Sequence, residues 1–267
     1  MMDQLWKLTV WGVRGSAPRP SAGCMEYGGN TTCFSLEHGD HVVILDAGTG
    51  LAPLGQALTV RKDIKRLDIL LSHLHLDHVL GLFSFLPLFD PEMELHFYGG
   101  AGWEKSLKTL VGPPWWPLGL GDFPAQLKFH EIQPGGGFTI DGLAVSTMAG
   151  NHPGGSILYR LDGDGKRLSY ALDCEADGEI LPALAEFARG SGLLIWDAGF
   201  TCGDLRPGWG HSAWEQGVVL GRTADVRQVL MTHYGWDYTD EFLRRQEDLG
   251  GQDPICRFAK EGMVIAL

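Results

Sequence analysis

The chain reads as short apolar runs separated by turn signals, the rhythm of many brief strands rather than of a few long helices. Leu5 to Trp11, Thr32 to Glu37 and Val42 to Leu45 are the first expected strands, and Gly39-Asp40 is hairpin material between the last two. Leu51 to Val60 reads as a helix after the Gly48-Thr49-Gly50 turn, and Leu67 to Leu71 as a buried strand. Val79 to Leu86 is expected to be helical, limited by Pro87. Glu94 to Tyr98 returns as a strand ended by Gly99-Gly100, and Trp103 to Leu110 has helical spacing. Gly112 to Pro124, rich in proline and carrying Trp115-Trp116, is an irregular loop. Further strands are expected at Leu127 to Ile132, Leu143 to Met148, Ser156 to Leu161, Arg167 to Leu172, Leu193 to Trp196, Val226 to Met231 and Met263 to Leu267. Glu179 to Arg189, Trp214 to Arg222 and Asp240 to Leu249 are the later helices. Early strands joined by tight turns, followed by strand–helix alternation, imply a mixed α/β protein with two sheets and outer helices. No linker or low-complexity segment divides the chain, so one domain over residues 1–267 is expected.

Composition narrows the function. With 267 residues, 44% of them hydrophobic, the chain can bury a sizeable core. Its formal charge of −12 argues against a broad surface for nucleic acid. A small anionic substrate remains compatible, because bound divalent ions reverse the local field. The five cysteines form no Cys-x-x-Cys pair, which fits a reducing compartment better than a disulfide framework. Met1 to Val10 lacks a basic region followed by a long apolar stretch, and no apolar run reaches membrane-spanning length. A soluble, cytoplasmic protein is the expectation.

The chemistry concentrates in His73-Leu74-His75-Leu76-Asp77-His78. Three imidazoles and a carboxylate in one tight turn after a buried strand have no packing rationale, and they are the usual ligands of zinc, manganese and iron. Such a run supplies only part of a centre. The rest is expected at later strand ends: His152 after Leu143–Met148, Asp173 after Leu168–Leu172, and His233 after Val226–Met231. Each lies just beyond an apolar strand, as His73 does, and that repeated placement argues for convergence on one site. A pair of ions needs about six or seven protein ligands in total.

These residues resemble the metallo-β-lactamase superfamily, in its phosphodiesterase branch. The resemblance covers nearly the whole chain and implies a four-layer αββα sandwich with the site at one edge. It implies that His73, His75 and His152 hold one metal, that Asp77, His78 and His233 hold the second, and that Asp173 bridges them. Asp46, in Ile44-Leu45-Asp46-Ala47-Gly48, matches the acidic residue that supports the metal loop. Trp11-Gly12-Val13-Arg14-Gly15-Ser16 through Tyr27-Gly28-Gly29-Asn30-Thr31 looks like the N-terminal signature of proteins related to phosphoribosyl 1,2-cyclic phosphodiesterase and tRNase Z. Within it, Arg14 and Asn30 are the candidate substrate contacts. Gly210-His211-Ser212 resembles the position where a non-ligand histidine donates a proton. An acidic partner belongs upstream of that histidine, and Asp204 is the nearby candidate. No long basic arm of the kind that clamps tRNA is visible.

The function implied is hydrolysis of a small cyclic or nucleotide-like phosphodiester by a hydroxide shared between two divalent ions, zinc or manganese with iron as a third option. Asp77 orients the nucleophile and His211 protonates the alkoxide. A carboxylic ester, thioester or lactone hydrolase is the alternative. A di-iron redox sensor is less compatible with the presence of both His75 and His78. Trp115-Trp116 leaves open a stacking wall for the substrate, a packed loop or a homodimer contact.

Overall fold

A computed structural model describes residues 5–267. The reading of Met1 to Val10 as leaderless falls partly on residues 1–4, outside the described residues. Among the described residues, fourteen strands run in chain order as β1 (Trp6–Gly12), β2 (Cys33–His38), β3 (His41–Leu45), β4 (Arg66–Leu70), β5 (Glu94–Gly99), β6 (Gln126–Glu131), β7 (Gly137–Ile140), β8 (Leu143–Gly150), β9 (Ser156–Gly163), β10 (Lys166–Ala171), β11 (Leu193–Asp197), β12 (Val229–Thr232), β13 (Cys256–Phe258) and β14 (Val264–Ala266). The helices are α1 (Leu51–Leu58), α2 (Trp103–Leu110), α3 (Leu181–Ala188), α4 (Trp214–Thr223) and α5 (Asp240–Gly250). They build two seven-stranded sheets, ordered β14-β1-β2-β3-β4-β5-β6 and β13-β12-β11-β10-β9-β8-β7. In each sheet an antiparallel half passes into a parallel half, at β3–β4 in the first and at β10–β11 in the second.

Alternation along the strands explains why the sheets stack. In β3, Val43 and Leu45 face the opposing sheet, while Val42 and Ile44 face α1, so both faces are apolar. Trp6, Phe34, Tyr159, Tyr170 and Trp196 fill the core that includes the inter-sheet space, and Leu54, Leu107 and Trp103 carry α1 and α2 onto the outer face of the first sheet. Leu184 and Leu220 anchor α3 and α4 in the core that includes the second sheet. The result is the αββα sandwich expected from the sequence. All five cysteines are free, and among the described residues no helix is long and apolar enough to cross a membrane.

One expected helix is absent. A 3-10 turn at Leu76–His78 precedes the segment, and residues Val79 to Leu86 themselves form only broken 3-10 turns, at Leu80–Ser84 and onward from Leu86. Their backbone groups are used elsewhere: the His78 carbonyl accepts from Ala47 N–H at 2.8 Å, and Gly81 N–H donates to the Ala47 carbonyl at 2.9 Å. A Cβ at Gly81 would lie 2.0 Å from the Gly48 carbonyl oxygen, so only glycine allows this loop-to-loop approach. Local pairing with the Asp46 loop thus overrides helical propensity and presses the histidine run against it.

Candidate metal centre

Strand ends from both sheets meet at one edge, where carboxyl ends of parallel strands characteristically present functional groups. Asp46 follows β3, the His73–His78 run follows β4, His152 follows β8, Asp173 follows β10, Asp197 ends β11 and His233 follows β12. Asp46, Asp173, His233 and neighbouring Ser16 all adopt left-handed backbone conformations, with φ of 57°, 52°, 61° and 63°. Non-glycine residues occupy that region at a cost, and four of the seven that do so among the described residues stand at this spot.

The expected residues come together in two overlapping groups. Ligand-capable atoms of His73, His75 and His152 lie within 4.8 Å of one another, as do those of Asp77, His78 and His233. Asp173 stands between them. Its Oδ2 lies 3.1 Å from His78 Nε2 and 3.2 Å from His233 Nε2, while its Oδ1 lies 3.7 Å from His152 Nε2 and 4.0 Å from His73 Nε2.

Outer partners fix each ring. His78 Nδ1 donates to Asp46 Oδ2 at 2.8 Å, which turns Nε2 into the cluster. Asp46 is itself locked by Ser72 N–H at 2.7 Å, Ser72 Oγ at 2.8 Å and Tyr170 OH at 2.6 Å. His152 Nδ1 donates to the Gly210 carbonyl at 2.9 Å, again leaving Nε2 inward. Ser16 N–H donates to Asp77 Oδ2 at 2.7 Å, so the N-terminal glycine motif serves the site through its backbone. A Cβ on Gly15 would sit 2.5 Å from His233 Cε1, which explains glycine at that position.

The electrostatics match a cation site. His73 Nε2 and Asp173 Oδ2 are buried without a hydrogen-bond partner, a costly state for polar atoms unless a ligand meets them. Burial, and then the neighbouring imidazoles, push the His73 pKa well below its usual value, favouring the neutral ring that binds metal. Burial works against charge on Asp173, yet His233 and His78 outweigh it and hold the carboxyl well below the usual range. Burial opposes charge on His78 and His233 as well, but the surrounding carboxylates, Asp173 first, outweigh it and raise both rings, so a divalent ion would displace protons from these two nitrogens while meeting the neutral ring of His73.

His211 stands beside the cluster, with its ring 5.2 Å from that of His233. Its Nδ1 meets Asp197 Oδ2 at 2.9 Å. Burial opposes charge on this ring, but Asp197 outweighs it and raises the pKa to about 9. Asp197 also accepts from the backbone N–H groups of Asp173 at 3.0 Å and Gly199 at 2.9 Å. Asp197, rather than the nearby candidate Asp204, is the carboxylate that meets His211. Asp204 instead accepts from Tyr238 OH at 2.6 Å and caps the turn at Thr201.

Two expected substrate contacts are corrected. Arg14 is fully buried, with Nε donating to the Gly28 carbonyl at 2.7 Å and Nη1 to the Tyr238 carbonyl at 2.6 Å. Asn30 donates from Nδ2 to Glu261 at 3.0 Å and accepts from Thr49 Oγ1 at 3.0 Å. Both side chains are used in holding loops together. The Trp115-Trp116 loop does not line the cleft of about 180 Å³ beside His211 and His233; Trp209 and Trp236 do, and sequence reasoning missed them. Trp116 packs on Phe83 at a ring distance of 4.6 Å, and Trp115 is exposed.

Clustered histidines and aspartates at the joined edge of an αββα sandwich define a metal-dependent hydrolase of the metallo-β-lactamase type. The family model described as "Beta-lactamase superfamily domain" matches residues 41–234, and the chain belongs to that family. A ribonuclease Z of Bradyrhizobium diazoefficiens is 25% identical, over 89% of this chain and 92% of its own length. The metallo-β-lactamase fold protein YhfI of Bacillus subtilis superposes with a TM-score of 0.74 at 18% identity, covering 99% of this chain and 100% of that one. A structure described as a new diphosphatase from the PhnP family gives a TM-score of 0.71 at 20% identity, with 97% of both chains covered.

Proposed function

We propose that residues 1–267 form one dinuclear metal-dependent phosphodiesterase domain acting on a small phosphodiester, cyclic or nucleotide-like. The observation that carries this reading is the two-sided placement of Asp173, with one carboxylate oxygen toward each histidine group. His73, His75 and His152 would hold one ion and Asp77, His78 and His233 the other, with Asp173 shared between them. The nitrogen-rich, mixed donor set suits zinc or manganese, with iron as a further candidate. When bound, such ions act as Lewis acids toward a phosphoryl oxygen and lower the pKa of water toward neutrality. Asp77, steadied by Ser16 N–H, orients the attacking water. His211, held by Asp197, supplies the proton that the departing alkoxide oxygen takes up. The names ribonuclease Z and diphosphatase among the similar proteins support chemistry at phosphorus.

The test is hydrolysis of bis(p-nitrophenyl) phosphate, a thioester and a lactone with Mn²⁺ or Zn²⁺ added. The phosphodiester is expected to be cleaved and the activity to disappear with a chelator. Hydrolysis of the thioester or lactone alone refutes the proposal. A second prediction arises from Gly15. Gly15→Ala drives a methyl group into the His233 ring. A displacement of this kind should weaken metal binding by roughly 10- to 100-fold, as loss of a supporting contact around a metal ligand does, measured by competition with a chromogenic chelator.

A further inference from the structure

The cleft beside His211 is built from two loops that each present an exposed tryptophan. Trp209 lies in the loop between β11 and α4, Trp236 in the loop between β12 and α5, and both line the same cavity. They are 56% and 53% exposed, an unfavourable state for large indoles unless something covers them.

These loops are braced. Glu175 accepts from Gly208 N–H at 2.7 Å and from Gly210 N–H at 3.1 Å, gripping the backbone on both sides of Trp209. Arg14 holds the Tyr238 carbonyl on the other loop at 2.6 Å, which gives the buried arginine a supporting role here. The hydrogen bond from Tyr238 OH to Asp204 at 2.6 Å ties the two loops to each other. The indoles are therefore exposed on a pre-organised frame, the arrangement of a stacking platform.

Charge completes the pattern. The Arg206 guanidinium lies 4.8 Å from the Trp209 ring and, among the described residues, has no carboxylate partner. It is a cationic group at the cleft of a chain with net charge −12. His211 also lines this cleft, so under the phosphodiesterase reading a group lodged there would carry the oxygen that His211 protonates.

We propose that this cleft is the leaving-group site and that it selects a nucleotide: a base against Trp209 and Trp236, with a phosphate drawn to Arg206. This inference rests on the phosphodiesterase reading. Calorimetric titration of the metal-loaded protein with AMP, ribose 5-phosphate and adenosine tests it. AMP is expected to bind at least about fivefold more tightly than ribose 5-phosphate, the size of one stacked base. Trp209→Ala and Trp236→Ala should each shrink that ratio, and Arg206→Gln should shrink the preference for AMP over adenosine. Equal binding of AMP and ribose 5-phosphate by the unaltered protein overturns the proposal without recourse to any variant. Cleavage of bis(p-nitrophenyl) phosphate, measured separately, reports on the phosphodiesterase reading; cleavage without base preference sinks the cleft assignment alone.

Discussion

Asp173→Asn is expected to remove most of the hydrolytic activity, by roughly 10³-fold or more, and to lower the metal content of the purified protein. The magnitude follows from losing several kcal/mol of charge stabilisation, with about 1.4 kcal/mol for each factor of ten. Asparagine is the informative substitution. Asp173 has φ of 52°, a left-handed conformation that asparagine tolerates far better than alanine does. The amide keeps the side chain's size and can keep the backbone fold, but it carries no charge. One of its two ends becomes an N–H donor facing nitrogens that need an acceptor or a metal. Only one of the two histidine groups near Oδ1 and Oδ2 can then find an oxygen. Elemental analysis should report fewer ions per chain, and circular dichroism an unchanged fold. Wild-type metal content together with a wild-type rate would remove Asp173 from the centre.

The histidine run was legible because its cause is local. Three histidines and an aspartate within six residues resist explanation by packing, and strand-end positions for His152, Asp173 and His233 follow from apolar periodicity alone. The groups that orient these rings were harder to read, because their partners are chosen by the fold. Asp197 closes an apolar strand, Leu193–Asp197, and looks like an ordinary strand terminus. Its meeting with His211 depends on the loop from Gly199 doubling back, so nearness in sequence pointed to Asp204 instead. Arg14 shows the opposite error. A charged residue in a glycine motif suggests contact with an anion, whereas burial and two backbone carbonyls consume it. The tryptophans of the cleft carried no signal beyond their type; Trp115-Trp116 was the more conspicuous pair on composition. The supposed Val79–Leu86 helix failed because Ala47 and Gly48 offered its backbone better partners than its own turns did.

The same distinction between holding metal and moving a proton decides what His211→Ala should do. His211 Nδ1 is committed to Asp197 at 2.9 Å, and the ring lines the cleft; under the proposed function Nε2 would meet a substrate oxygen rather than an ion. Removing it should therefore leave metal content intact. Turnover of a phosphodiester with an alkoxide leaving group should fall by roughly 10²- to 10⁴-fold, the usual worth of a positioned acid. Bis(p-nitrophenyl) phosphate should lose far less, because p-nitrophenolate departs without a proton. That dependence on the leaving group separates acid catalysis from a structural role, which would slow both substrates alike. Asp197→Asn should reproduce the same selectivity more weakly, since the ring survives but loses its orienting charge. The competing outcome is equally specific. His211, Asp173, Asp197 and His233 also place ligand-capable atoms within 4.8 Å of one another. If His211→Ala strips an ion and slows both substrates equally, the histidine is a ligand and the proton must come from elsewhere.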